Sequence, residues 1–269
     1  MKRCWGRRKE NAMRYLTGFL VMLWAIPLWA QEGPRELKEK AEAAFRELEE
    51  ECLTLYVINA LDRKPVPWAV VKIAGGEYKT DEEGKICFPI PEDGTYEAQV
   101  SAEGYEPTSF PVEVMAGTAF VLYLPISPKL EIDQARIVLV WGKKPKDLDA
   151  HLVCVGRYHI SYRDMRKGKE ALLDIDCRDG RGPETITLTC IDPEEHYIYY
   201  VHDYTNRNKP RSKGLSKNSH ATVILYAGDR QWTFTVPRGV RGTVWKVFEI
   251  VNGKVVPCEE GCVGAKISE

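Results

Sequence analysis

From Leu53 onward, apolar and polar residues alternate with a period of two, and turn-forming residues break the alternation every few positions. Leu53, Leu55 and Val57 alternate with Thr54, Tyr56 and Ile58, and a turn follows at Asp62-Arg63-Lys64-Pro65. Further strands are predicted at Ala69 to Ile73, Lys85 to Ile90, Tyr96 to Ala102, Phe110 to Val114 and Phe120 to Leu124. About seven short strands separated by turns describe an antiparallel sandwich over residues 53–125. Two prolines in Pro125-Ile126-Ser127-Pro128 mark a linker over 126–134. A second β-rich region runs over 135–256. Its strands are predicted at Ala135 to Trp141, Leu148 to Val155, Tyr158 to Tyr162, Ala171 to Cys177, Thr185 to Ile191, His196 to Tyr204, Ala221 to Ala227, Gln231 to Pro237 and Gly242 to Val251. Asn252-Gly253 is a hairpin signal, because a type I′ turn needs positive φ at both central residues. Residues 257–269 form a short tail holding Cys258 and Cys262. The predicted class is all-β, with two consecutive β-sandwich domains.

Ahead of the sandwiches the period changes. Leu37, Ala41, Ala44, Phe45 and Leu48 recur at helical spacing among strong helix formers, so 31–52 reads as a short amphipathic helix. Residues 1–30 read as a signal peptide: a basic start, an apolar stretch from Leu16 to Trp29, and Ala30 at the cleavage position. That stretch falls short of the roughly 20 residues that span a bilayer, although an uncleaved anchor is the competing reading. The full chain has a net charge of −1. Without the leader it carries 32 basic against 38 acidic residues, which disfavours nucleic acid and anionic lipid as partners. Export to the periplasm or the extracellular space is expected, with no stable membrane insertion after cleavage. Of the eight cysteines only Cys4 leaves with the leader, so seven remain in an oxidising compartment. The sequence does not fix their pairing. Cys52 with Cys87, Cys258 with Cys262, and a buried bridge between two of Cys154, Cys177 and Cys190 are all open.

The strings Val66-Pro67-Trp68-Ala69-Val70-Val71, Thr80-Asp81-Glu82-Glu83-Gly84-Lys85, Pro91-Glu92-Asp93-Gly94-Thr95-Tyr96 and Ala102-Glu103-Gly104-Tyr105 follow one another in order. That order resembles the carboxypeptidase regulatory-like domain, a transthyretin-type β-sandwich. The resemblance implies a non-catalytic spacer or adhesion module. Enzymes on a similar sandwich hydrolyse 5-hydroxyisourate with His and Arg, but no His occurs between residues 31 and 150.

The candidate chemistry lies in the second region. If Asp147 to Cys154 is a strand, Asp147, Asp149 and His151 share one face, while Leu148, Ala150, Leu152 and Cys154 share the other. In Leu173-Asp174-Ile175-Asp176-Cys177, Asp174 and Asp176 likewise share a face, and a Gly-rich turn carrying Asp179 and Glu184 follows. Carboxylates gathered this closely repel and raise one another's pKa. A divalent cation removes that cost, and Ca²⁺ accepts such oxygens together with turn carbonyls from Asp179-Gly180-Arg181-Gly182. His151 is a poor Ca²⁺ ligand; it either orients a carboxylate or belongs to a Zn²⁺ or Mn²⁺ site. The competing arrangement is a metal-free network with Lys143, Lys144, Lys146, Arg178 and Arg181. Catalytic carboxylates are the third possibility.

Trp141-Gly142, Asp147-Leu148-Asp149-Ala150-His151-Leu152, Leu173-Asp174-Ile175-Asp176 and Gly180-Arg181-Gly182-Pro183-Glu184-Thr185-Ile186 together resemble the YfaP-like domain. Val201-His202-Asp203-Tyr204-Thr205-Asn206 and Thr243-Val244-Trp245-Lys246-Val247-Phe248 continue the likeness. It implies an exported bacterial β-sandwich and brings no biochemical activity with it. The tyrosines of 196–204, with Trp232 and Trp245, suit either sheet packing or stacking on sugar rings. Residues 206–213 read as a solvated basic loop. The expected function is a non-catalytic exported protein that binds an envelope protein or a glycan, with a Ca²⁺-like site among Asp147, Asp149, His151, Asp174, Asp176, Asp179 and Glu184. A carbohydrate-binding module and a metal-dependent hydrolase are the alternatives.

Overall fold

The computed structural model of the chain describes residues 52–259 and 261–267. The leader at 1–30 and, apart from Cys52, the helix expected at 31–52 lie outside the described residues. What is described is all β apart from two short helical turns.

Eight strands build the first half: β1 (Cys52–Asn59), β2 (Val70–Ile73), β3 (Gly76–Lys79), β4 (Lys85–Pro89), β5 (Gly94–Ser101), β6 (Thr108–Met115), β7 (Thr118–Ala119) and β8 (Tyr123–Ile126). They form a three-stranded sheet, β4-β1-β8, and a five-stranded sheet, β3-β2-β5-β6-β7. The period-two pattern explains the packing. Leu53, Leu55 and Val57 of β1 and Ile86 and Phe88 of β4 share one core with Val71, Val100, Phe110 and Val112 of the other sheet.

The second half holds β9 (Ala135–Val140), β10 (Asp149–Cys154), β11 (Tyr158–Ile160), β12 (Arg166–Lys167), β13 (Ala171–Ile175), β14 (Glu184–Leu188), β15 (Tyr197–His202), β16 (Thr222–Ala227), β17 (Arg230–Thr235), β18 (Val244–Val251) and β19 (Lys254–Pro257). A five-stranded sheet, β11-β10-β15-β18-β19, packs on a six-stranded one, β12-β13-β14-β9-β16-β17. Asn252 and Gly253, at φ 52° and 68°, join β18 to β19 as the hairpin signal predicts. The sequence pattern did not separate out β3, β7, β12 and β19.

The middle of the six-stranded sheet explains an otherwise odd pattern. All six residues of β9 are buried, as are five of the six in β16, so neither strand shows alternation. Ile137, Leu139, Val223 and Leu225 face the second core. Val138, Ile224 and Tyr226 belong to the first. The two sandwiches therefore share a sheet face, and those strands read as unbroken apolar runs because both sides are covered. Polar bonds pin this seam. Tyr226 and Thr108 hydroxyls lie 2.7 Å apart, and the buried Arg136 donates from Nη1 to Ser127 Oγ and Pro128 O at 2.7 and 2.8 Å. Thr185 Oγ1 donates to Ala60 O at 2.6 Å. The stretch read as a linker, 126–134, is thus partly structural: Ile126 ends β8 and Ser127 is fully buried.

Disulfides join Cys52 to Cys87, across β1 and β4, and Cys258 to Cys262 in the tail. The expected bridge among Cys154, Cys177 and Cys190 does not form, and all three are free thiols. Cys190 is not available for a buried bridge, because β14 stops at Leu188 and leaves Cys190 exposed in the turn beyond it.

Because the seam is apolar and buried on both sides, the two sandwiches are expected to unfold in one transition. Ile224→Ala should cost about 2–5 kcal/mol and should lower the melting temperature reported by tryptophans of either half. A variant that shifts the unfolding of the second half alone would show that the seam does not couple them.

Candidate functional site

Trp141 and the loops on either side of it bring the two acidic segments together. The Trp141 indole is fully buried and donates Nε1–H to Pro145 O at 2.9 Å, which folds the β9–β10 loop back on itself. The β13–β14 loop packs on the same ring. Gly182 sits at φ +61°, where a Cβ would come within 2.9 Å of the Trp141 ring, so the turn needs glycine there for both backbone and space. Arg181 N–H also donates to Gly142 O at 3.0 Å. Gly182, one of the two glycines of that turn, allows this close packing.

The result is a carboxylate group at one end of the second sandwich. Asp147, Asp149 and Glu184 each place an oxygen within 4.8 Å of the others. Glu184 is 1 % exposed and accepts backbone N–H from Ala150 (2.7 Å) and Cys177 (3.2 Å), tying the two sheets together at this end. Asp147 Oδ1, Asp149 Oδ2 and Asp176 Oδ1 are buried as acceptors without a hydrogen-bond donor. Of the cations expected nearby, Arg178 reaches Asp176 at 3.6 Å from the solvent side. Burial, reinforced by the charges of Asp147 and Asp176, pushes the Asp149 carboxyl up to about 8. Burial also raises Asp147, with Asp176 adding to the effect, and raises Glu184 well above its ordinary value against two stabilising backbone bonds.

Two of the sequence-predicted residues fall away from this group. A register shift between Leu173 and Ile175 breaks the regular alternation of β13, so Asp174 and Asp176 no longer share a face. Asp174 accepts from Thr187 Oγ1 at 2.7 Å and feels the charge of Arg136, placing it at the seam. Asp179 is exposed and pairs with Arg63 of the first half at 3.3 Å.

His151 lies beside the carboxylates on the outer face of the five-stranded sheet, in the alternation expected for β10. Strand register supplies its neighbours: Asp149 is opposite His202, and His151 is opposite Tyr200. The His151 and Tyr200 rings stack at 4.5 Å and 6°. His151 Nδ1 lies 2.8 Å from His159 Nε2, and its own Nε2 is buried without a hydrogen-bond partner. His202 Nδ1 stands 3.9 Å from Asp149 Oδ2. Burial, with the charges of His159 and His202 adding to it, drives His151 down to about 3. Burial, helped by Arg207, lowers His202 as well. These residues floor an open cleft of about 590 Å³, rimmed by Tyr162, Tyr204, Arg163 and Arg207. Three of the chain's five histidines gather here. The sequence reading missed His159 and His202, whose joint presence depends on strand register.

The aromatic residues divide. Tyr197, Tyr199 and Trp245 are core residues, whereas Tyr200 and Tyr204 line the cleft. The rings at the rim already carry partners, with Arg207 over Tyr204 at 4.2 Å and Arg163 over Tyr162 at 5.4 Å. Asp203, buried, caps the 3-10 turn at Tyr204–Asn206 by accepting from Asn206 N.

No family model and no curated protein matches the chain, so the two family resemblances rest on the strings that carry them. A crystal structure of a candidate carbohydrate binding protein from Bacteroides uniformis is similar over 74% of this chain and 98% of its own, at 8% identity and a TM-score of 0.24. A score that low carries nothing about fold or function to this chain.

Asp149 gives a pH signature. Its carboxyl titrates near 3.8 when unfolded and near 8 when folded, so the folded state holds the proton more tightly. The stabilisation this gives at low pH is lost as pH rises between those values. In chelated buffer, Asp149→Asn should therefore gain melting temperature relative to the wild type between about pH 5 and about pH 8. A constant difference across that range would mean that Asp149 is ionised throughout.

Proposed function

We propose that this is an exported, non-catalytic binding protein whose second sandwich holds a divalent cation between Asp147, Asp149 and Glu184. The observation that carries the reading is the buried carboxylate group itself: three acidic side chains within 4.8 Å, with oxygens of Asp147, Asp149 and neighbouring Asp176 lacking donors. Such a group either keeps protons or takes a cation, and an all-oxygen set suits a hard ion of the Ca²⁺ type. The two disulfides support an oxidising compartment and hence export. Among the described residues, no helix is long and apolar enough to cross a membrane.

An envelope protein or a glycan is the partner this reading expects. The cleft beside the carboxylates favours the glycan, since Tyr162, Tyr200 and Tyr204 line it together with polar side chains. A glycan array probed with the full chain tests that partner, and binding that survives Tyr204→Ala would place the contact elsewhere.

For the ion, Ca²⁺ should raise the melting temperature of the chelated protein at neutral pH. The gain should reach about 2.7 kcal/mol of stability when free ion is 100 times its dissociation constant. Asp147→Asn and Glu184→Gln should each abolish the gain. An unchanged melting temperature with Ca²⁺, and no calcium by elemental analysis, would overturn the cation reading.

A further inference from the structure

A second set of donors adjoins the carboxylates and has different chemistry. Asp149, His151 and His202 each offer one ligand atom, and these atoms lie within 4.8 Å of one another. His151 is 6 % exposed and Asp149 3 %, and both His151 Nε2 and Asp149 Oδ2 are buried without hydrogen-bond partners. An imidazole nitrogen that is buried and unpartnered loses its hydration with nothing in return. Its position argues for an acceptor role toward a group not of the protein.

We propose that Asp149, His151 and His202 bind a divalent ion of the zinc and cobalt class on the cleft side of the carboxylates. Two imidazoles and one carboxylate are donors such ions favour and Ca²⁺ does not. His159 supplies the support that metal-binding histidines need. With the His151 proton on Nδ1 and donated to His159 Nε2 at 2.8 Å, the lone pair of Nε2 is presented to the ion. Donors about 2.1 Å from a tetrahedral ion stand about 3.4 Å apart. The 3.9 Å between His202 Nδ1 and Asp149 Oδ2 therefore closes with a side-chain adjustment of about half an ångström. Three protein donors leave the fourth position of a tetrahedral ion for an outside ligand. His151 and His202 both line the cleft, so that position opens where Arg163 and Arg207 stand at the rim. An oxygen-donor anion is the class of ligand those two guanidinium groups suit.

The two imidazole nitrogens of this set are donors that a calcium site would leave idle. The test is a titration of the full, chelator-stripped chain with Co²⁺ at neutral pH. We expect one bound ion with the visible d–d absorption of a nitrogen-ligated site, displaced by Zn²⁺. His202→Ala and His151→Ala should each weaken binding by more than about 100-fold, the upper end of what losing a supporting residue costs. His159→Gln should weaken it by about 10–100-fold. His202 is half-buried, so its variant is the one to rely on if His151→Ala does not fold. Asp147→Asn should keep the Co²⁺ spectrum while losing any Ca²⁺ response, which separates the two sites. Co²⁺ binding unchanged in His202→Ala, or no visible absorption in the wild type, would overturn the proposal.

Discussion

Burying a carboxylate without a counter-charge is among the costlier things a fold can do, and the second sandwich does it twice at one end, with a third carboxylate half-buried between them and solvent. Asp149 is 3 % exposed and Glu184 1 %, with Asp147 beside them. Glu184 offsets its burial by accepting two backbone N–H groups, and so locks β10 against the β13–β14 loop. Asp149 has no such relief. At neutral pH its charge is tolerated only by keeping a proton or by gaining a cation, and the site's electrostatics turn on which of these occurs.

That strain sits on a rigid support. Trp141 anchors one acidic segment through its indole, and Gly182 lets the other segment lie flat on the same ring. The middle strands of the six-stranded sheet behind them, β9 and β16, are covered on both faces, by their own core and by the first sandwich. Side chains held this way have little freedom to separate and relieve their repulsion, whereas a cluster on a loose loop would drift apart.

Much of this architecture was legible in the alternation of apolar and polar residues. The strands around Leu53, Asp149, Tyr199 and Val223 follow period two or an unbroken apolar run, and Asn252-Gly253 announced its hairpin. The inward and outward faces of β10 also followed from parity alone. Parity failed at Asp174, because a register shift breaks the count, and the buried bridge open to Cys190 was ruled out because its strand ends before it. Asp179 was misplaced for another reason: its partner, Arg63, comes from the other sandwich, across a contact that no local pattern reveals. His202 and His159 join His151 only through cross-strand pairing, which a single sequence does not specify.

The contacts of Arg63 with Asp179 and of Thr185 with Ala60 have a consequence for how the molecule is divided. The first sandwich buttresses the very loop from which Asp176 and Glu184 emerge. Cutting the chain near residue 130 would lay bare Val138, Ile224 and Tyr226 and leave that loop without its outer wall. An amino-terminal module that looks like a spacer is, mechanically, part of the frame around the carboxylate end, and a change to either partner is transmitted to the other through a shared wall of side chains.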